Sequence, residues 1–320
     1  MADRIRLSYG SAVELGLIRG KADAPVSTLY VFYRSRKCRG RCCFCPQSVT
    51  AVGGASKISR IEWPEFALEE VKEKLKANRT LERICLQCSD EPAVKEGAAG
   101  MVRELREGRN IPVSVSTSPI SKDQMERLKG AGTGILTIPI DCAEEGIFPV
   151  IKGRSMAEVR GVLRDAVEVF GRGSVGTHII VGLGESELDV VLLMIDLFGE
   201  GVIPSLFAFT PVEGPEMEGA PNPSLSSYRR LQLARHLIVE KGANPGIFKF
   251  DLECRIAKVA ISYNGLNSII RDSKAFMVQG CKGCNRPYYN ERASGPVYNY
   301  AKKPAGSDLS EIRGELIGVV

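Results

Sequence analysis

From residue 28 onward, short runs of β-branched and aromatic residues alternate with longer stretches whose apolar positions recur at helical spacing. The runs 28–33 (TLYVFY), 83–87 (RICLQ), 112–117, 134–140, 174–181, 205–210 and 247–252 read as strands. The stretches 61–77, 94–107, 121–129, 155–170, 186–198 and 226–241 read as helices, with a Pro near the start of the first and Ser121 as an N-cap. Each of the first six strands is thus joined to the next by a helix, which predicts an α/β fold with a parallel sheet and helices outside. Right-handed crossovers would curl that sheet into a full or partial (β/α) TIM-type barrel over residues 28–256. Residues 1–27 are expected to form an N-terminal helical extension, since SAVELGLI has helical spacing and GKADAP ends it. Residues 257–320 are expected to add a final helix and strand and a C-terminal irregular cap, because 280–304 is rich in Gly, Pro, Asn and Tyr. No second independent domain, repeat or low-complexity region is visible.

Composition narrows the class. A chain of 320 residues with 44% hydrophobic and 25% charged residues is ordinary for a globular protein. No apolar run is long enough to span a membrane, and the start MADRIRLSYG has no apolar h-region, so a cytoplasmic location is expected. Ten cysteines in that setting argue for metal or redox use over disulfides. The net charge of +5 comes without a basic surface interleaved with aromatics, so no nucleic-acid partner is expected. The Arg and Lys residues between 34 and 41 serve either an acidic partner or the charge of a thiolate cluster. Two His leave little material for a His-based metal site.

The chemistry concentrates in CRGRCCFCP, residues 38–46, directly after the first strand. Cys38, Cys42 and Cys45 form a CxxxCxxC pattern that can hold one inorganic cluster. Three thiolates leave one iron of a [4Fe–4S] cube without a protein ligand, free to bind a small molecule. A structural zinc site and an electron-transfer cluster are the competing readings. Cys43 interrupts the pattern and reads as a non-ligand, although the register between Cys42 and Cys43 is open. Far along the chain, Cys281 and Cys284 form a CxxC pair in GCKGC, a strong metal signal. With Cys85 and Cys88 they make four thiols for a second [4Fe–4S] cluster. A redox-active disulfide competes, and Cys254 is a further candidate. Cys142 reads as a bystander and His178 as a core histidine. Arg286, Arg292, Tyr288 and Tyr289 either position a substrate, seal a barrel mouth or only pack a loop. In CSDEP (88–92), Ser89, Asp90 and Glu91 put acids at a helix start, where the macrodipole favours them.

The cysteine spacing, with Phe44 before the last cysteine, resembles the radical S-adenosylmethionine (SAM) superfamily, and the resemblance runs from residue 28 to about 252. It is nearest to the biotin synthase/lipoyl synthase branch. It implies a cluster whose open iron chelates the methionine moiety of SAM, and reductive release of a 5′-deoxyadenosyl radical. It implies that Ser89, Asp90 and Glu91 contact the amino group of that moiety, and that Asp141 in PIDCAEE binds the ribose hydroxyls. In THIIVGLGES it implies that Val181 offers a backbone edge to adenine. Gly182 and Gly184 there allow a tight turn, and Glu185 and Ser186 cap the next helix. FTPVEGP resembles the substrate-side loop of these enzymes. RICLQCSDEP resembles a biotin synthase segment in which the position of Cys85 ligates a second cluster, yet PVSVST and VGTHIIV carry no cysteine, so that [2Fe–2S] site is not intact. The CxxC followed by RPYYNE resembles subunits of the split, two-protein lipoyl synthases. No CxxxxCxxxxxC motif precedes the radical motif, so a second cluster must draw on other cysteines.

The activity so implied is sulfur insertion into a protein-bound octanoyl chain. Its expected partners are an octanoylated lipoyl carrier protein or peptide, a second lipoyl synthase subunit and a low-potential reductant such as ferredoxin. A radical methylase or mutase, using a second cluster or the CxxC for structure or electron transfer, is the alternative. An iron–sulfur carrier is a third reading, opposed by the GLGE and PIDC segments.

Overall fold

The computed structural model describes residues 4–21, 24–34, 38–52, 56–286, 291 and 295–320. Its strands are β1 (Arg4–Leu7), β2 (Thr28–Tyr33), β3 (Lys57–Ile58), β4 (Ile61–Glu62), β5 (Glu65–Ala67), β6 (Arg83–Cys88), β7 (Val113–Ser116), β8 (Thr133–Thr137), β9 (Val175–Val181), β10 (Val202–Ala208), β11 (Phe248–Phe250) and β12 (Ile256–Val259). Its helices are α1 (Tyr9–Glu14), α2 (Leu68–Ala77), α3 (Pro92–Gly108), α4 (Lys122–Gly130), α5 (Phe148–Lys152), α6 (Met156–Phe170), α7 (Glu187–Glu200), α8 (Leu225–Lys241), α9 (Tyr263–Asp272) and α10 (Gly306–Glu315).

Eight strands form one sheet in the order β5–β1–β2–β6–β7–β8–β9–β10. β2 and β6 to β10 run parallel, and β1 lies antiparallel between β2 and β5. The two edge strands do not pair with each other, so the sheet is a partial (β/α) barrel. Alternation along the strands sorts the side chains. On β9, Val175, Thr177, Ile179 and Val181 are buried, Ile179 and Val181 away from the lumen, while Gly176, His178 and Ile180 line it. On β6, Ile84 and Leu86 face outward, while Cys85 and Gln87 face in. Serine caps start the outer helices where expected: Ser121 and Ser186 form capping boxes with Gln124 and Asp189, and Ser155 accepts from the N–H of Glu158.

Four expectations need correction. The N-terminal segment is not only helical, because RIRL forms β1 and adds to β2; its helix is α1, started by Ser8, whose side chain accepts from the N–H of Ser11. The helix expected over 61–77 begins only at Leu68. The residues before it pair instead, with Phe66 opposite Ile5, and Trp63 is buried edge-on against Phe32 at 6.3 Å. The sixth strand is Val202–Ala208 and contains Pro204, which a sheet edge tolerates because its missing N–H is not needed there. The seventh strand leaves the barrel altogether. Asp251 accepts from the N–H groups of Glu253 and Arg255, which turns the chain back so that β11 pairs antiparallel with β12. Among the described residues no helix is long and apolar enough to cross a membrane.

Candidate functional site

A cavity of about 490 Å³ fills the lumen of the partial barrel. Its wall includes residues at the starts of strands, such as Ser114 and Val175, and residues beyond their ends, such as Asp90 and Asp141. It therefore runs the length of the sheet. Seven cysteines line it: Cys38, Cys42, Cys45, Cys85, Cys88, Cys281 and Cys284.

At the C-terminal end of the strands the loop after β2 is held by backbone hydrogen bonds. Arg39 N–H donates to the carbonyl of Asp90 at 2.9 Å, Cys43 N–H to that of Ile151 at 3.0 Å, and Val49 N–H to that of Gly40 at 2.9 Å. Cys43 is buried away from the cavity and its carbonyl accepts from Met217, whereas Cys42 lines the cavity. Gly40 N–H donates to Cys38 Sγ at 3.3 Å. Burial raises the Cys42 thiol, and burial with the neighbouring Cys42 pushes Cys45 up to about 12. Both stay protonated until a cation compensates the thiolate charge.

Two carboxylates reach this end. Asp90 forms ion pairs with Lys95 and Arg154, each at 2.7 Å. Burial alone would raise its carboxyl, but Lys95, the Ser118 hydroxyl and Arg154 outweigh that and hold it below the usual range. Asp141 has φ 61°, a left-handed conformation uncommon for a residue other than Gly, fixed by hydrogen bonds from its N–H to His178 and from Ile180 to its carbonyl. Its side chain pairs with the buried Lys152, whose ammonium also lies 5.8 Å from the Phe44 ring. Ser89 lines the cavity and donates to Glu91 at 2.6 Å. Glu91 itself is buried behind it and does not reach the cavity. Val181 also lies outside: its carbonyl accepts from Phe209, and it lines a separate cleft with Arg230 and Asp251. Ser186 caps α7 as expected, whereas Glu185 accepts from the N–H groups of Gly182 and Leu183.

The CxxC segment closes the opposite end. The carbonyl of Gly283 accepts from Ser27 at 2.5 Å and Thr28 at 3.2 Å, and Arg83 donates to the carbonyl of Lys282 at 3.1 Å. These residues stand at the starts of β2 and β6, so the CxxC segment covers the N-terminal mouth. Ser114 donates to Cys281 Sγ at 3.2 Å, and Tyr30 Oη lies 3.4 Å from Cys284 Sγ. In the sheet register Cys85 stands between Tyr30 and Ser114, the two residues that touch Cys284 and Cys281, and all three thiols line the cavity. Cys88, the last residue of β6, is raised to about 12 by burial. Arg286 stacks on Phe207 at 3.9 Å within the lumen. Tyr288, Tyr289 and Arg292 lie outside the described residues. Cys142 is buried and Cys254 sits in the β11–β12 turn, both off the cavity.

The model of the Radical SAM superfamily matches residues 32–197, more than half of the chain. The chain belongs to the radical SAM superfamily. Biotin synthase of Persephonella marina (strain DSM 14350 / EX-H1) is 28% identical over 205 residues, which are 61% of this chain and 57% of that protein. The chain thus matches little more than half the length of that relative. Among solved structures, methylornithine synthase (PylB) has a TM-score of 0.52 at 17% identity, over 65% of this chain and 62% of that one. The FeFe-hydrogenase maturase HydG from Carboxydothermus hydrogenoformans has a TM-score of 0.52 at 14% identity, over 91% and 76%. SuiB of Streptococcus suis bound to S-adenosylmethionine has a TM-score of 0.52 at 15% identity, over 69% and 49%. At these identities the likeness is one of fold.

A radical SAM enzyme implies a [4Fe–4S] cluster and SAM, and the C-terminal mouth suits them. The donor set is three soft thiols, and a Cβ at Gly40 would stand 3.3 Å from Cys38 Sγ, so the loop keeps space beside that sulfur. Among the described residues no three His, Cys, Asp or Glu side chains gather around a single-ion position. A cubic cluster does not require this, since it takes each thiolate on a different iron. Sequence reasoning missed Lys152, Arg154 and Tyr30. The first two look like surface charges on a short helix and its exit, and the third like an ordinary strand aromatic.

Proposed function

We propose that this radical SAM enzyme inserts sulfur, as one component of a two-protein lipoyl synthase acting on an octanoyl chain borne by a lysine of a carrier protein. The observation that carries the reading is a single cavity lined at one mouth by Cys38, Cys42 and Cys45 and at the other by thiols from β6 and the CxxC. Sulfur insertion needs a radical source and a sulfur source within reach of one substrate.

Cys38, Cys42 and Cys45 would hold the radical cluster, and a thiol of β6 with those of Cys281 and Cys284 would hold a second [4Fe–4S] cluster. When bound, the first cluster and SAM supply a radical able to take hydrogen from an unactivated carbon. The chain's own residues do the rest. Asp90, kept charged by Lys95 and Arg154, accepts the ammonium of the methionine moiety, with Ser89 beside it. Asp141 accepts the ribose hydroxyls, and its ion pair with Lys152 fixes the carboxylate in place. Ile135, Ile180, Ile203 and Phe207 offer an apolar wall to an acyl chain. The docked tail keeps water from entering at the N-terminal mouth. The open C-terminal mouth admits the octanoylated carrier. A second lipoyl synthase subunit performs the other insertion, and a ferredoxin-like reductant delivers the electrons.

The test is an anaerobic reaction of the reconstituted protein with a strong reductant, SAM and an octanoyl-lysyl peptide. The expected result is 5′-deoxyadenosine together with a peptide that has gained sulfur by mass spectrometry. 5′-Deoxyadenosine with a peptide that never gains sulfur would sink the reading and leave a methylase or mutase.

A further inference from the structure

The two hydroxyls that touch the CxxC sulfurs each have their proton direction settled by their other partners. Tyr30 Oη accepts from the backbone N–H of Asn285 at 3.3 Å and of Arg286 at 2.9 Å. An N–H can only donate, so the phenol proton is left for Cys284 Sγ at 3.4 Å. Ser114 Oγ accepts from the Arg83 guanidinium at 2.9 Å, and its own proton points to Cys281 Sγ at 3.2 Å. Each CxxC sulfur therefore receives one O–H donor from the barrel wall. A donor aimed at sulfur stabilises a thiolate far more than a thiol, because hydrogen bonds to ionised acceptors are about twice as strong. Two such donors on neighbouring sulfurs make a site arranged for anionic sulfur, which is the form that binds metal.

The third thiol is equally specific. Cys85 is on the lumen face of β6, in register between Tyr30 of β2 and Ser114 of β7, the residues whose hydroxyls meet Cys284 and Cys281. Cys88 is three residues further, on the pleat of Ile84 and Leu86 and opposite Tyr33 of β2, and it meets the cavity at the other end of the strand.

Resting on the reading that a second cluster exists, we propose that Cys85, Cys281 and Cys284 ligate it at the N-terminal mouth, that Tyr30 and Ser114 position and tune its thiolates, and that Cys88 is not a ligand.

The test uses the full chain with Cys38, Cys42 and Cys45 all changed to Ala, so that only a second cluster can bind. After anaerobic reconstitution this protein should hold about four irons and about four sulfides. Adding Cys85→Ala, Cys281→Ala or Cys284→Ala should abolish that binding, while adding Cys88→Ala should leave it intact. Tyr30→Phe and Ser114→Ala, each added alone, should keep the iron but move the cluster's midpoint potential to a more negative value in an EPR-monitored titration. Removing a donor withdraws stabilisation mainly from the more negative, reduced state. Circular dichroism checks that each variant folds, and the serine variant stands in if the tyrosine variant does not. A parent variant without iron overturns the second cluster itself and this assignment with it. A parent with iron that is lost on Cys88→Ala, or whose potential is unmoved by removing either hydroxyl, overturns the assignment alone.

Discussion

The two mouths of the barrel hold their thiols by different means. Beside the strand ends, Cys38, Cys42 and Cys45 come from one contiguous loop, tied in place by its own backbone N–H groups and by a glycine N–H on Cys38 Sγ. Beside the strand starts, one thiol comes from β6 and two from a tail some two hundred residues later, tied by side-chain hydroxyls of the barrel wall. A contiguous loop can gather its thiols as soon as β2 and β6 pair. The second set exists only when the tail docks. The N-terminal set should therefore be separable from the C-terminal one, and the reverse dependence should be weak.

The largest expected effect tests that separation. Cys42→Ala should reduce 5′-deoxyadenosine formation to background, whereas Cys281→Ala should change SAM cleavage little and stop sulfur transfer to the octanoyl peptide. Both products are read in one assay. Loss of SAM cleavage in Cys281→Ala would break the comparison, because the tail would then be part of the radical site or of folding.

Next comes the buried ion pair of the C-terminal mouth. Lys152→Met leaves the Asp141 carboxylate buried without its cation and should cost about 3–5 kcal/mol in urea unfolding. Adding Asp141→Asn should restore much of that stability, since it removes the orphaned charge, while SAM affinity stays low. Full stability in Lys152→Met alone would show that another cation reaches Asp141.

His178 stands between the two mouths. Burial, then Arg286 from one side and Lys152 from the other, lowers it from 6.5 to about 3. The folded state thus refuses a proton that the unfolded chain accepts. Stability from this group is full above pH 6.5 and falls as the pH drops toward about 3, by about 1.4 kcal/mol per unit. Urea midpoints of His178→Gln should fall less between pH 7 and pH 5 than those of the natural chain. An equal fall would place the acid sensitivity elsewhere.

The smallest effect is at the tail. Thr28→Val removes one of two hydroxyls on the carbonyl of Gly283 and should cost about 1 kcal/mol. Hydrogen exchange should quicken around Cys281 and Cys284 and stay unchanged in the Cys38 loop. Faster exchange in both would mean that the two mouths open together.

Much of this arrangement could be read from residue order. The six parallel strands stood out because β-rich runs of ordinary length alternated with helical spacing, and Ser121 and Ser186 marked helix starts by the residue type that caps them. β1 did not stand out, because four residues of alternating pattern carry little signal until β2 offers an edge. The start of α2 was misplaced for the same reason: the apolar spacing of 61–77 fits a helix, but Phe66 finds Ile5. The 247–252 run is extended only over Phe248–Phe250 and pairs in a hairpin, since its partner lies just beyond the Asp251 turn. Lys152 resembles any lysine on a short helix until Asp141 is folded against it.

What the order of residues determined alone was local: the βα alternation that commits the chain to a parallel sheet, and three thiols within one loop whose spacing needs no distant partner. The tertiary structure decided which mouth the CxxC covers, that Cys85 and not Cys88 faces it, and which hydroxyls meet its sulfurs. Those contacts join residues as far apart as Tyr30 and Cys284, 254 positions along the chain. No local propensity encodes such a pairing. It follows from the closure of the sheet, the pleat that turns Cys85 inward, and the hydrogen bonds that dock the tail at the strand starts.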